Sequence, residues 1–318
     1  MITINNINEA KERVSKYAVR TPLLRVAQLD DILGCKAWLK PENLQQTGSF
    51  KLRGALNKLL SLTDEQKKHG VVCASSGNHG QAVAYAAQLL GINAKVVMPV
   101  NAPSVKLDGV YKYGAEVILC GTKSSEREAK MNEIVAMENR VSVHPFEDDH
   151  VKAGQGTAAL EILEDNPDID CIVVPIGGGG LISGMAIAAK AVNPNIKIVG
   201  VEPTGAPRYG LSRQAKAPVS LDKVNTIADG TRTDKANPYN FPIIEKYVDH
   251  LVSVDDEQIK QAMKLVLSQA KLFIEPSGVL PLAAAISKKI PCTTNDNVCF
   301  LLSGGNGDLD VLASIITE

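Results

Sequence analysis

Between residues 70 and 147 apolar and polar positions follow a regular beat. The short runs Val71–Ala74, Glu116–Cys120, Ala94–Met98 and Val141–Val143 have the length and β-branched content of buried strands. Between them, residues 81–90, 104–113 and 124–138 carry apolar side chains at helical spacing. Gly91 and Gly114 stand where left-handed caps would close the first two helices. Four strands and three helices in about 75 residues are enough for a small doubly wound parallel sheet.

Outside that block the pattern is sparser. Ile7, Ala10, Val14 and Ala18 recur at helical spacing over residues 5–19, and Pro22 ends the stretch. A strand at Ala37–Leu39 leads through a polar loop, 40–46, towards a helix from Leu52 to Leu60. After the block come a strand Cys171–Pro175, a helix Leu181–Ala191, a strand Ile196–Val201, a helix Asp256–Leu272, a short helix Pro281–Lys288 and a strand Val298–Leu302. No segment repeats and none is of low complexity. The expected architecture is α/β with two doubly wound domains: 1–69 and 148–318 form the larger, and 70–147 is inserted as the smaller. Ligands of such sheets bind beyond the carboxyl ends of the strands, so the loops there are the places to look for chemistry.

Composition narrows the function. The chain of 318 residues is long enough for two cores, and its formal net charge of -1 argues against nucleic acid or an anionic membrane as a main partner. Six cysteines (Cys35, Cys73, Cys120, Cys171, Cys292, Cys299) lie far apart, and three of them fall in apolar runs. They read as reduced, buried thiols of a cytoplasmic protein. The N-terminus lacks the basic and apolar regions of a signal peptide. The uncharged window 171–189 contains Pro175 and a glycine run, which fits a buried strand, loop and helix better than a membrane span.

Four loops carry chemistry. In Thr47-Gly48-Ser49-Phe50-Lys51-Leu52-Arg53-Gly54 a lysine sits between apolar side chains in a glycine-bounded turn. Burial there would lower its pKa and leave a neutral amine able to form a Schiff base, whereas a plain helix start would let it snorkel to water. Ser75-Ser76-Gly77-Asn78-His79-Gly80 joins a strand to a helix N-terminus, a place for an anion such as an amino-acid carboxylate, or simply a capped start. No Gly-x-Ser-x-Gly surrounds these serines, so a hydrolase nucleophile is disfavoured. Gly177-Gly178-Gly179-Gly180 follows a strand and can turn its N–H groups onto a phosphate. Its phases match neither a dinucleotide fingerprint nor a P-loop. Ser303-Gly304-Gly305-Asn306-Gly307 is a fourth turn after an apolar strand, functional or merely tight.

Together and in this order, the four motifs resemble those of the fold-type II pyridoxal-phosphate (PLP) enzymes, in the serine/threonine dehydratase and serine racemase branch. The resemblance spans nearly the whole chain. It implies that Lys51 is the Schiff-base lysine, with Phe50 near the cofactor ring and Asn78 at its hydroxyl. It implies that Gly177, Gly178, Gly179, Gly180 and Leu181 cradle the phosphate and that Ser303 meets the pyridine nitrogen. Ser75, Ser76, Asn78 and His79 would receive the substrate carboxylate, and a homodimer is implied. The expected reaction is β-elimination of L-threonine or L-serine to a 2-oxo acid and ammonia, 3-hydroxyaspartate being another possible substrate. Racemisation is the alternative. Ser76 resembles the re-face serine of the racemases, while Phe146, in His144-Pro145-Phe146, resembles the dehydratases. Arg127 stands where racemases carry an arginine tied to domain closure, or is a solvated helix charge. Arg232 is a further candidate near the site, without a place.

Two departures from the family pattern matter. Members with a divalent cation resemble Glu-x-x-x-Ala-x-Asp. Here Glu202 and Ala206 are kept, but Arg208 stands at the last acid, which opposes a metal and could pair with Glu202. The expectation is no metal. The chain also ends at Glu318, which leaves no room for a regulatory domain like that of the biosynthetic threonine dehydratases, so feedback inhibition by isoleucine is not expected.

Overall fold

The computed structural model describes residues 1–102 and 104–317. Along the chain come α1 (Ile4–Val14), β1 (Leu24–Arg25), α2 (Asp30–Leu33), β2 (Lys36–Pro41), α3 (Lys51–Leu60), α4 (Asp64–His69), β3 (Val71–Ala74), α5 (Asn78–Leu90), β4 (Ala94–Met98), α6 (Ser104–Tyr111), β5 (Glu116–Leu119), α7 (Ser124–Glu138) and β6 (Val141–Ser142). Then follow α8 (Asp149–Asp165), β7 (Cys171–Pro175), α9 (Gly180–Val192), β8 (Lys197–Pro203), α10 (Arg208–Ala215), α11 (Phe241–Tyr247), β9 (His250–Val254), α12 (Asp256–Leu265), α13 (Leu280–Ile286), β10 (Asn297–Leu302) and α14 (Leu309–Thr317).

The strands form two sheets. One has the order β5-β4-β3-β6 and is parallel throughout; the other has the order β1-β2-β10-β7-β8-β9 and is parallel except for β1. Because successive side chains of a strand point to opposite faces, β7, β8 and β10 feed two cores at once. Ile172, Val174, Ile198, Cys299 and Leu301 pack with α8 and α9, while Val173, Val199, Val201, Val298 and Phe300 pack with α12 and α13. In the smaller sheet Val71, Cys73, Val96 and Met98 face α5 and the predicted apolar stripe of α3, and Val72 and Val97 face Met131 and Ile134 of α7.

Several expected boundaries shift. The first helix stops at Val14 rather than near residue 19, and α12 ends at Leu265 rather than Leu272, passing into one π-helical turn that Lys271 closes with φ 59°. The expected polar loop from Lys40 is partly strand: β2 runs to Pro41, and Lys40 and Glu42 are fully buried. The long helix α8 has no counterpart in the sequence reading. Its N-cap Asp148 accepts hydrogen bonds from the N–H groups of His150 and Val151. Its glycines let it lie against its neighbours: a Cβ on Gly154 would meet the Arg53 carbonyl oxygen at 2.5 Å, and one on Gly156 the Gly184 carbonyl oxygen at 2.8 Å.

A buried ionic cluster joins α3, β2 and α8. Arg53 is bidentate to Glu42, with both bonds at 2.8 Å, and reaches Glu161 at 2.7 Å; Lys40 also reaches Glu161 at 2.7 Å. Thr21 completes it through its hydroxyl to Glu42 and its carbonyl to Lys40. Two cations balance two carboxylates, so the desolvation cost is met by matched hydrogen bonds. No helix of the described residues is long and apolar enough to cross a membrane.

Candidate active site

A cavity of about 250 Å³ lies beyond the carboxyl ends of β3, β7 and β10 and takes its walls from both sheets. Phe50, Lys51, Ser75, Ser76, Asn78, His79, Arg127, Phe146, Gly177, Gly178, Gly179, Gly180, Leu181, Arg232 and Ser303 all line it. Residues spread over most of the chain therefore converge on one space.

Lys51 is the first residue of α3 rather than part of the glycine-bounded turn; Phe50 before it is already helical, with φ -54°. The Phe50 N–H donates to the Ser303 carbonyl at 3.0 Å, and Ser49 bridges to Gly304, so the lysine is pinned to the serine-glycine turn. Its Nζ donates to the Pro145 carbonyl at 3.1 Å. Burial pushes the amine down to about 8, against the opposing pull of the Glu275 charge. A usable fraction is therefore neutral near pH 7.

Ser75, Ser76 and Gly77 lead into α5, whose first N–H groups have no partner within the helix. Asn78 is fixed in orientation: its Nδ2 donates to Glu275 at 2.7 Å and its Oδ1 accepts from Asn306 at 2.9 Å. Asn306 also donates to the Thr47 carbonyl at 2.8 Å, tying the lysine, asparagine and serine-glycine loops together. The His79 ring does not fit the role expected of it as a carboxylate ligand. Its Nε2 faces the Val143 carbonyl at 2.8 Å, which requires a proton there, and burial pushes its pKa down to about 3. The neutral ring thus presents only a lone pair at Nδ1, and any donation to an anion falls to the His79 backbone N–H.

The glycine loop leaves no room for side chains. A Cβ on Gly178 would meet the Phe146 ring at 2.2 Å, one on Gly180 the Phe146 Cα at 2.9 Å, and one on Gly179, at φ +85°, the Tyr209 hydroxyl at 2.5 Å. Phe146 is held in turn, since His144 stacks edge-on at 4.7 Å and accepts the Glu147 N–H at 3.0 Å through Nδ1. The loop opens α9, so bare N–H groups and the positive helix end meet in one cradle.

Arg127 is not a solvated charge. It is buried, and its Nη1 and Nη2 donate to the Thr122 carbonyl at 3.0 Å and the Ser124 hydroxyl at 3.1 Å; among the described residues no carboxylate is within ion-pair reach. Arg232 is placed by two bonds to the Thr226 carbonyl. Glu202, Ala206 and Arg208 lie outside the cavity wall. The expected pairing of Arg208 with Glu202 is only a 3.6 Å approach, for the guanidinium bonds chiefly to main-chain carbonyls. Among the described residues no cluster of His, Cys, Asp and Glu suits a metal ion.

The sequence reading missed Glu275. This buried acid lines the cavity, and burial, reinforced by the Asp229 charge, pushes its carboxyl up to about 7. Ser277 and Lys106 were also missed. Ser277 accepts the Gly230 N–H at 2.8 Å, and Lys106 on α6 forms an ion pair with Asp229 across the cavity. None of the three belongs to a recognisable motif, although Glu275 stands out as an acid between Ile274 and Pro276.

Residues 14–304 match the family model described as pyridoxal-phosphate dependent enzyme. The chain belongs to this family. It is 42% identical over 318 residues to an L-threonine ammonia-lyase of Thermotoga maritima, covering 100% of this chain and 79% of that protein. It is also 42% identical over 313 residues to a serine racemase of Oryza sativa subsp. indica, covering 97% and 92%. Among solved structures, maize serine racemase superposes with a TM-score of 0.95 at 41% identity, covering 99% of this chain and 97% of that one. The protein is thus a PLP-dependent enzyme of fold-type II. The cradle fits that cofactor: Gly178, Gly179 and Gly180 have no space for any larger residue, and a partly neutral lysine amine shares the cavity.

Proposed function

We propose that this PLP enzyme carries out β-elimination on L-threonine and/or L-serine, giving a 2-oxo acid and ammonia. The observation that carries the reading is the buried amine of Lys51, enclosed in one cavity with a glycine cradle and a serine-rich helix start. The names of relatives in both the ammonia-lyase and the racemase groups support it.

The bound cofactor supplies an electron sink for the charge left at Cα of the substrate. In this reading Gly177, Gly178, Gly179, Gly180 and Leu181 hold the phosphate through their N–H groups. Phe50 packs near the ring, Asn78 gives its remaining amide N–H to the ring hydroxyl, and Ser303 meets the pyridine nitrogen. A hydroxyl there, rather than a carboxylate, leaves that nitrogen largely unprotonated and favours loss of a β-leaving group. Ser75, Ser76 and the α5 N–H groups take the substrate carboxylate, with Arg127 offering its free N–H groups nearby. The Lys51 amine removes the α-proton, as its lowered pKa allows.

Racemisation of serine or a related amino acid is the second reading, favoured by Ser76, whose hydroxyl can hand a proton to the opposite face. We also propose a cytoplasmic homodimer, and a division of the chain into 1–69 with 148–318 and the inserted 70–147. No metal enters the reaction. The deciding test is one incubation of PLP-loaded protein with L-serine, L-threonine and L-threo-3-hydroxyaspartate in turn, quantifying the 2-oxo acid and the opposite enantiomer. Oxo acid without enantiomer is expected; abundant D-amino acid would assign the racemase instead, and neither product would sink both readings.

A further inference from the structure

The carbonyl oxygens of the glycine loop are held from the side away from the cavity. Arg208 is fully buried, and its Nη2 donates to the carbonyls of both Ile176, at 2.9 Å, and Gly177. Its Nη1 donates to the Ala206 carbonyl at 2.6 Å. The next carbonyl, that of Gly178, accepts from the Tyr209 hydroxyl at 2.9 Å and from Asn240 Nδ2 at 2.8 Å. Asn240 also holds the Phe146 carbonyl at 3.0 Å.

A trans peptide is planar, with its C=O and N–H pointing in opposite directions. Fixing the carbonyls of Ile176, Gly177 and Gly178 therefore fixes the N–H groups of Gly177, Gly178 and Gly179, and aims them to the other side, where the cavity lies. The guanidinium adds a charge. Its nearest carboxylate, Glu202, stands 3.6 Å away and already accepts the N–H groups of Tyr209 at 3.0 Å and Gly210 at 2.9 Å. Behind the loop thus sits a cation whose hydrogen bonds go almost wholly to the loop and its surroundings.

We propose that Arg208, with Tyr209 and Asn240 as partners, is the positioning residue of the phosphate seat: a built-in cation that orients the loop N–H groups towards a phosphate ester. The inference rests on the reading that this loop takes the phosphate of PLP. Lysine cannot replace it, because one ammonium cannot span the Ile176, Gly177 and Ala206 carbonyls as a planar fork does.

The test is binding of PLP and of pyridoxal, which lacks the phosphate, to the cofactor-free full-length chain, read from the absorbance of the Lys51 adduct. Arg208→Met should weaken PLP about a hundredfold and leave pyridoxal unchanged, with Arg208→Lys in between. Tyr209→Phe, which removes one hydroxyl and should keep the fold, should weaken PLP about tenfold with the same indifference to pyridoxal. Circular dichroism and melting establish that each variant is folded; if Arg208→Met is not, Arg208→Lys and Tyr209→Phe decide. Variants that bind PLP as tightly as the wild type, or that lose PLP and pyridoxal equally, overturn the proposal. A wild-type protein that binds pyridoxal as well as PLP would overturn instead the reading of the loop as a phosphate seat.

Discussion

The cavity is walled by two loops with the same topological origin, each running from the carboxyl end of a parallel strand into a helix. After β7 the loop is clamped: Phe146 and Tyr209 occupy the space a side chain would need, and every carbonyl from Ile176 to Gly178 is tied down. After β3 the loop has open space at Gly77. The nearest atom to a Cβ on Gly77 is the Lys106 amine at 3.8 Å. One position in the fold thus serves two tasks: a rigid seat for a ligand that stays, and an adjustable one for a ligand that comes and goes. Preorganisation favours the first and would hinder turnover in the second.

Five substitutions and one chelation sharpen this contrast. Lys51, which stands between the loops, should show the largest effect: Lys51→Ala lowers turnover of L-serine and L-threonine by about 10⁴-fold without unfolding the protein. Wild-type-like activity in that variant would remove the amine from the chemistry. Next, Gly178→Ala should weaken PLP by about a hundredfold or more, because the added methyl overlaps the Phe146 ring. Gly77→Ala should leave cofactor affinity intact and change KM by only about twofold to fivefold. Equal damage from both would abolish the distinction between the loops. Third, under the racemase reading Ser76→Ala should cost D-serine turnover about a hundredfold while L-serine turnover persists, as measured by chiral chromatography.

The fourth effect is on stability. The Glu275 carboxyl titrates near 7 in the folded protein, well above its range in an unfolded chain. Between about pH 4.5 and 7 the folded state keeps a proton that the unfolded state has lost, so this residue makes stability fall as pH rises. In Glu275→Gln the melting temperature of the cofactor-free protein should decline less over that window. An unchanged slope would mean that the acid ionises normally. The smallest effect expected is none: EDTA should alter neither activity nor melting temperature, with Arg208 where a cation ligand would stand.

What the sequence discloses and what it hides follow the same physics. The sheet built from β3 to β6 is legible because its strands are mostly apolar and its turns carry glycines that adopt positive φ, as Gly91 and Gly114 do. The helix α8 is not, since Lys152, Gln155, Thr157 and Glu161 are polar yet buried, which erases the stripe that marks a helix. At the site, motif residues such as Lys51 and Gly178 announce themselves. Glu275 does not, because its importance comes from burial beside Asn78 and not from any neighbour in sequence. For Arg208, the residue type signals the departure from the cation pattern, but only the fold shows that backbone carbonyls rather than Glu202 receive it.

The ionic cluster around Arg53 has a consequence in time. Lys40 and Glu161 are 121 positions apart, and all of the smaller sheet lies in the chain between them. Closing so long a loop is slow, and its entropic cost falls before any of its contacts are gained. Until it closes, the helix that starts at Lys51 lacks Glu161, one of the two carboxylates that anchor Arg53, two residues further on. In refolding, the ability to capture PLP should therefore emerge late, after the helical signal of the smaller sheet has recovered, so that a newly made chain carries its nucleophile for some time before it can use it.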